Sequence, residues 1–159
     1  MPTLLTGVKA RDFTLEDQSR QKISLSDFQG RWVVLYFYPK DATPGCTQEA
    51  IEFTRQRAAF EKLGAAIVGV SPDYPESHQS FIRKCDLRLT LLCNPEHDVM
   101  EAYGAWGPKI SGGEEKIGAI RTTVLIDPTG EVAYHWANVH VDGHAEEVKA
   151  KLEELQAQA

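Results

Sequence analysis

One uninterrupted run, Trp32-Val33-Val34-Leu35-Tyr36-Phe37-Tyr38, strings apolar, β-branched and aromatic side chains together without polar alternation. A strand of that kind has to be covered on both faces, as the central strands of a sheet flanked by helices are. Pro39 ends the run, and Lys40-Asp41-Ala42 lead into Thr43-Pro44-Gly45-Cys46. Thr43 suits the N-cap of a following helix, Pro44 its first position, and Gly45 lets the backbone approach a small ligand. Cys46 then falls in the first helical turn, where free N–H groups and the positive end of the helix dipole stabilise a thiolate. The chemistry of the chain is expected there.

The remaining elements arrange themselves around that strand. Phe13 to Leu15 and Ile23 to Leu25 are short alternating runs either side of Asp17-Gln18-Ser19-Arg20, which predicts an N-terminal hairpin, with Ser26 to Gly30 as a connector. The helix that begins at Thr43 is expected to reach Leu63, with Ala50, Phe53, Phe60 and Leu63 on one stripe and Gly64 as terminator. Cys46 lies one turn before Ala50 on the same stripe. Ala66 to Ser71 reads as a second central strand, and Pro72 to Pro75 as a turn opening a helix that aligns His78, Phe81, Ile82 and Cys85. Leu89 to Cys93 is a short strand. Asn94-Pro95 is expected to cap a helix running to Tyr103, which Gly104 ends.

Between Ala105 and Gly118 the glycines and proline leave too little periodicity for a regular element, so a surface loop anchored by Trp106 is expected. Arg121 to Asp127, Pro128-Thr129-Gly130 and Glu131 to Trp136 form a strand, a turn and a returning strand. Ala145, Val148, Leu152 and Leu155 mark one side of a last helix. The order describes an α/β chain with a central mixed sheet flanked by helices. At 159 residues and 42% hydrophobic content, residues 1–159 fit one domain.

Charge and cysteine usage narrow the function. Seventeen basic against 23 acidic residues give a net charge of −6, which argues against a general nucleic-acid surface. The start, Met1-Pro2-Thr3-Leu4-Leu5-Thr6-Gly7, lacks the features of a signal peptide, and no stretch approaches the ~20 apolar residues of a membrane span. A cytoplasmic protein with no membrane partner is expected. Three cysteines, Cys46, Cys85 and Cys93, do not make a secreted disulfide framework and read as redox-active or buried. Cys85, Cys93 and His97 come nearest to a metal spacing but match no zinc signature, so no metal or other cofactor is expected.

Pro39-x-x-x-Thr43-x-x-Cys46, within Tyr38-Pro39-Lys40-Asp41-Ala42-Thr43-Pro44-Gly45-Cys46-Thr47, resembles the active-site signature of the peroxiredoxins, and in detail their Q-type branch, the bacterioferritin comigratory proteins. The resemblance continues through Gly69-Val70-Ser71-Pro72-Asp73, Tyr103-Gly104-Ala105-Trp106-Gly107 and Arg121-Thr122-Thr123-Val124-Leu125-Ile126-Asp127, covering nearly the whole chain. It implies a thioredoxin-like fold with the N-terminal hairpin as an extension, a monomer, and a thiol peroxidase that needs no metal or haem. It also implies site roles: Cys46 as the peroxidatic nucleophile, Arg121 as the arginine that stabilises the thiolate and binds peroxide, Thr43 as a hydrogen-bonding partner of the peroxide, and Pro39 as a shield against water. Glu49 either orients Arg121 or simply favours the helix N-terminus.

One position departs from the commonest Q-type pattern, which has a second cysteine five residues after the first; this chain has Ile51. Some Q-type members use a cysteine on the next helix, at a place that aligns with Ile82. Cys85, one turn later on the same face, is therefore the candidate resolving thiol, with Cys93 and an external thiol as alternatives. A disulfide needs Cα atoms within about 7 Å, so pairing Cys46 with either requires local unwinding. A thioredoxin-type reductant would close the cycle. Two rival functions remain. A thiol–disulfide oxidoreductase would want Cys-x-x-Cys, but Thr47-Gln48-Glu49 follows Cys46. A non-enzymatic redox sensor or chaperone would not turn peroxide over.

Overall fold

The computed structural model describes residues 6–158, except the side chain of Ser111. The reading of the extreme N-terminus therefore falls mostly outside the described residues. Among the described residues nine strands and four α-helices follow in the order β1 (Thr14–Asp17), β2 (Lys22–Ser24), β3 (Trp32–Phe37), α1 (Pro44–Lys62), β4 (Ala65–Ser71), α2 (Pro75–Cys85), β5 (Thr90–Cys93), α3 (Asp98–Ala102), β6 (Trp106–Ser111), β7 (Glu114–Ala119), β8 (Thr122–Ile126), β9 (Val132–Ala137) and α4 (His144–Ala157). A short 3-10 turn at Leu25–Phe28 occupies the expected connector.

Seven strands form one mixed sheet in the order β2-β1-β5-β4-β3-β8-β9. Strand β3 runs parallel to β4 and antiparallel to β8, and β4 runs parallel to β5. The expected N-terminal hairpin is β1–β2, and β1 extends the sheet by pairing antiparallel with β5. The unbroken apolar run is explained by its place: Val33 through Tyr38 are all buried. Successive side chains of a strand point to opposite faces. Val33, Leu35 and Phe37 accordingly join a core with Val99, Met100 and Tyr103 from α3 and the residue that follows it. Val34, Tyr36 and Tyr38 join the other core, built with Cys46, Ala50, Phe53 and Phe60 of α1, Phe81 of α2 and Val148 and Leu152 of α4. Tyr36 lies between Phe53 and Tyr38, with ring centroids 4.7 Å and 5.5 Å away.

Two expectations change. Residues 106–119 are a β-hairpin, β6–β7, and not a surface loop. Gly112 and Gly113 occupy its turn with φ of 61° and 81°, the left-handed pair that a tight hairpin needs. Of the segment's four glycines, Gly112 and Gly113 mark the turn, while Gly107 and Gly118 pair within the strands. Trp106 does anchor the segment, its ring stacked on His97 at 3.6 Å. The helix expected from Asn94-Pro95 begins only at Asp98, with His97 as a left-handed N-cap. Asn94 serves it from a distance, its Oδ1 accepting from the Met100 N–H and its Nδ2 donating to Asp98.

Candidate active site

Strand β3 delivers the chain into the 39–43 loop at the end of the parallel core of the sheet, and α1 carries it away. Pro39 is a half-buried bend two residues after the end of β3. Ala42 holds φ at +64°, a left-handed conformation that costs a residue with a Cβ about 1–2 kcal/mol. Such strain survives only where neighbours over-determine the backbone. Thr43 takes the N-cap position with Pro44 at N1, as expected, but its hydroxyl makes no cap. It donates instead to the Lys40 carbonyl at 2.8 Å and so ties the loop across the strained residue.

Cys46 is the third residue of α1, and only 1% of it is exposed. Arg121, just before β8, reaches it from across the sheet. Its Nη2 donates to Cys46 Sγ at 3.3 Å while Nη1 donates to Glu49 Oε1 at 2.7 Å. The backbone of Arg121 is pinned as well, since its carbonyl accepts from the Val139 N–H. Glycine at 45 matters for this fork: a Cβ there would lie 3.2 Å from Arg121 Nη2. The structure thus brings together Cys46, Arg121 and Glu49, one turn apart on α1 and facing one guanidinium.

The electrostatics of the trio are asymmetric. Burial pushes the Glu49 carboxyl up to about 7, and the charge and hydrogen bond of Arg121 only partly oppose it. Its Oε2 has no hydrogen-bond partner among the described residues, nor does the buried Tyr36 hydroxyl. Burial works against the Arg121 cation, yet Glu49 and Cys46 outweigh it and hold that group above its ordinary value. Arg121 is therefore a cation throughout the neutral range. Its side chain keeps 17% exposure against 1% for Glu49, so Arg121 is the member of the cluster nearest to solvent.

The other two cysteines lie elsewhere. All three thiols are free. Cys85, the last residue of α2, is half-buried and packs against the same core that holds Cys46. Cys93, buried at the end of β5, sits opposite Ser71 in the ladder and follows Leu92, whose carbonyl faces His78 Nε2.

A second buried cluster under the 39–43 loop was not anticipated. The Asp41 carboxylate accepts from the Tyr38 hydroxyl at 2.6 Å, the Ser77 hydroxyl at 2.8 Å and His78 Nδ1 at 2.7 Å. Its backbone N–H donates to Asp73 Oδ2, which also accepts from Ser71. His78 Nε2 faces the Leu92 carbonyl at 3.0 Å. Carbonyl and carboxylate both only accept, so both ring nitrogens carry protons and His78 is an imidazolium. Burial disfavours that charge, but the bond to Asp41, the nearby Cys93 thiol, the charge of Asp41 and the Leu92 carbonyl prevail and hold the ring up at about 10. Asp41, Asp73 and His78 place ligand-type atoms within 4.8 Å of one another. With both imidazole nitrogens donating, His78 has no lone pair for a cation, and the arrangement is an ion pair. In the sequence His78 falls on an apolar stripe with Phe81, Ile82 and Cys85. A basic side chain in such a stripe has to have a partner, and that was the available signal.

The chain as a whole matches a family. The model of the AhpC/TSA family matches residues 6–135. The chain belongs to that family. Peroxiredoxin Bcp of Bacillus subtilis (strain 168) is 41% identical over 153 residues, covering 96% of this chain and 98% of the relative. A serine variant of the Xylella fastidiosa peroxiredoxin Q superposes with a TM-score of 0.91 at 34% identity, covering 98% of this chain and 99% of that one. A bacterioferritin comigratory protein of Xanthomonas campestris, whose structure concerns its alkyl peroxide reduction activity, has a TM-score of 0.88 at 33% identity over 94% and 98% of the two chains. The expected Q-type resemblance and thioredoxin-like fold are both met, and as a peroxiredoxin the chain is a thiol-dependent peroxidase.

Proposed function

We propose that Cys46 is the peroxidatic residue and that Arg121 activates it, with hydrogen peroxide and organic hydroperoxides as substrates. The observation that carries this reading is the guanidinium fork, with one nitrogen on Cys46 Sγ and the other on Glu49. The thiolate attacks the terminal oxygen of R–O–OH; the S–O bond forms as the O–O bond breaks, giving Cys46–SOH and RO⁻, which takes a proton to leave as water or an alcohol. Charge develops on both oxygens, where Arg121 and the Cys46 N–H act only if preorganised, while the Thr43 hydroxyl, its own proton held by the Lys40 carbonyl, accepts from the hydroperoxide O–H. Pro39 shields the thiolate. Glu49 orients Arg121.

Cys85 then attacks the sulfenic sulfur, forming Cys46–S–S–Cys85 and releasing water. A thioredoxin-type dithiol opens that bond by exchange and leaves oxidised. Support for Cys85 comes from its half-exposed place at the end of α2, against the core face that Cys46 shares. We further propose a monomeric, single-domain protein over residues 1–159, working in the cytoplasm, where free thiols persist. Among the described residues no helix is long and apolar enough to cross a membrane.

Peptide mapping after one equivalent of peroxide without added thiol is the test. A Cys46–Cys85 linkage that disappears in Cys85→Ser but persists in Cys93→Ser supports the route. Lasting Cys46 sulfenic or sulfinic acid in the unsubstituted protein assigns resolution to an external thiol. Cys46→Ser is expected to abolish turnover, and residual metal-free activity in it would move the nucleophile elsewhere.

A further inference from the structure

The Asp41–His78 pair has no part in the reaction just described, yet it is buried, charged and bonded to the loop that presents Cys46. Asp41 stands two residues before the N-cap of α1. Through it the loop is tied to Tyr38 after β3 and to Ser77 and His78 on α2, while its N–H is tied to Asp73 after β4. His78 is in turn tied to β5 through the Leu92 carbonyl. Left-handed Ala42 is thus clamped between Asp41 on one side and the Thr43–Lys40 bond on the other.

We propose that His78 is a positioning residue for Cys46: acting through Asp41, it locks the 39–43 loop and the first turn of α1 in the arrangement that sets the sulfur against Arg121. The same pair fastens the loop to α2, the helix that ends in Cys85. A movement of the 39–43 loop away from α2 that brings Cys85 to an oxidised Cys46 has to strain or part it. The lock therefore favours the reaction with peroxide and holds back the motion that follows. The persistence of the His78 charge at neutral pH, with its ring held up at about 10, keeps the lock closed under ordinary conditions. The idea rests on the peroxidase reading for its consequence but not for its mechanics.

Two rates separate positioning from mere folding. Peroxide is small and needs the ordered site; iodoacetamide is larger and reaches a sulfur with 1% exposure only when the loop opens. In His78→Gln and in Asp41→Asn the reaction of reduced Cys46 with peroxide is expected to slow about tenfold, while iodoacetamide labelling of Cys46, read by peptide mass, speeds up about tenfold. Amide exchange should rise over residues 40–47 and stay at the unsubstituted rate in β3 and β8. If a single variant does not fold, the double variant Asp41→Asn, His78→Gln, with neutral amides at both positions, carries the same measurements. Peroxide rates within twofold of the unsubstituted protein, labelling that slows along with peroxide reaction, or exchange that rises equally in β3 would each overturn the proposal. If unsubstituted Cys46 failed to react with peroxide, the peroxidase reading would fall alone, and labelling and exchange would still decide the lock.

Discussion

Two buried charge clusters flank the same loop and are built in opposite ways. In the Asp41–His78 cluster the ring nitrogens and carboxylate oxygens all have partners, and its two charged side chains are no more than 2% exposed. In the Cys46–Arg121–Glu49 cluster one carboxylate oxygen has no partner among the described residues, the arginine side chain is partly exposed, and the glutamate is pushed up to about 7. A satisfied network in a low-dielectric interior holds a shape, whereas a half-satisfied one keeps capacity to bind or to change charge. On the proposed reading the difference separates a part that holds from a part that reacts, although each rests on an ion pair.

The largest effect that tests this contrast is expected on the holding side. Asp41→Ala leaves the His78 charge buried without its counter-ion, which should cost about 3–5 kcal/mol of stability in urea unfolding. A loss under 1 kcal/mol would show that the pair is not the anchor it resembles. On the reacting side Arg121→Ala should lower the rate of Cys46 oxidation, followed by stopped flow, by roughly a hundred- to a thousandfold with the fold retained. Arg121→Lys should not restore it fully, because a point charge cannot serve sulfur and carboxylate as a planar fork does.

Smaller changes sharpen the comparison. Gly45→Ala places a methyl 3.2 Å from Arg121 Nη2, so the guanidinium has to give by a few tenths of an ångström. A rate loss of about tenfold is expected, with little change in stability. Glu49→Gln should act mainly on pH dependence. The folded protein binds the Glu49 proton more tightly than the unfolded chain, with about 7 against 4.5, so stability declines as pH rises across that interval. Thermal unfolding between pH 4.5 and 7 should show a shallower decline in Glu49→Gln. An unchanged slope would place the titration elsewhere.

Local signals were sufficient for much of this protein. The apolar run at 32–38 demanded a strand covered on both sides, because no exposed strand tolerates seven successive large apolar or aromatic side chains. Pro39, Pro44 and Gly45 announced a strand-to-helix turn, since each restricts or frees the backbone at its own position. Cys46 at a helix start followed from them, and the family motif added Arg121. What tertiary structure decided were relations between distant residues. That Arg121 reaches Cys46 and Glu49 depends on β8 lying beside β3, a pairing no local pattern specifies. His78 looked like one member of an apolar stripe until the fold set Asp41 against it from 37 residues away. The β6–β7 hairpin was hidden because its glycines mark a turn and a loop alike, and only the paired backbone tells them apart. Propensity and periodicity belong to neighbours along the chain, whereas the partner of a buried charge is chosen by packing in three dimensions.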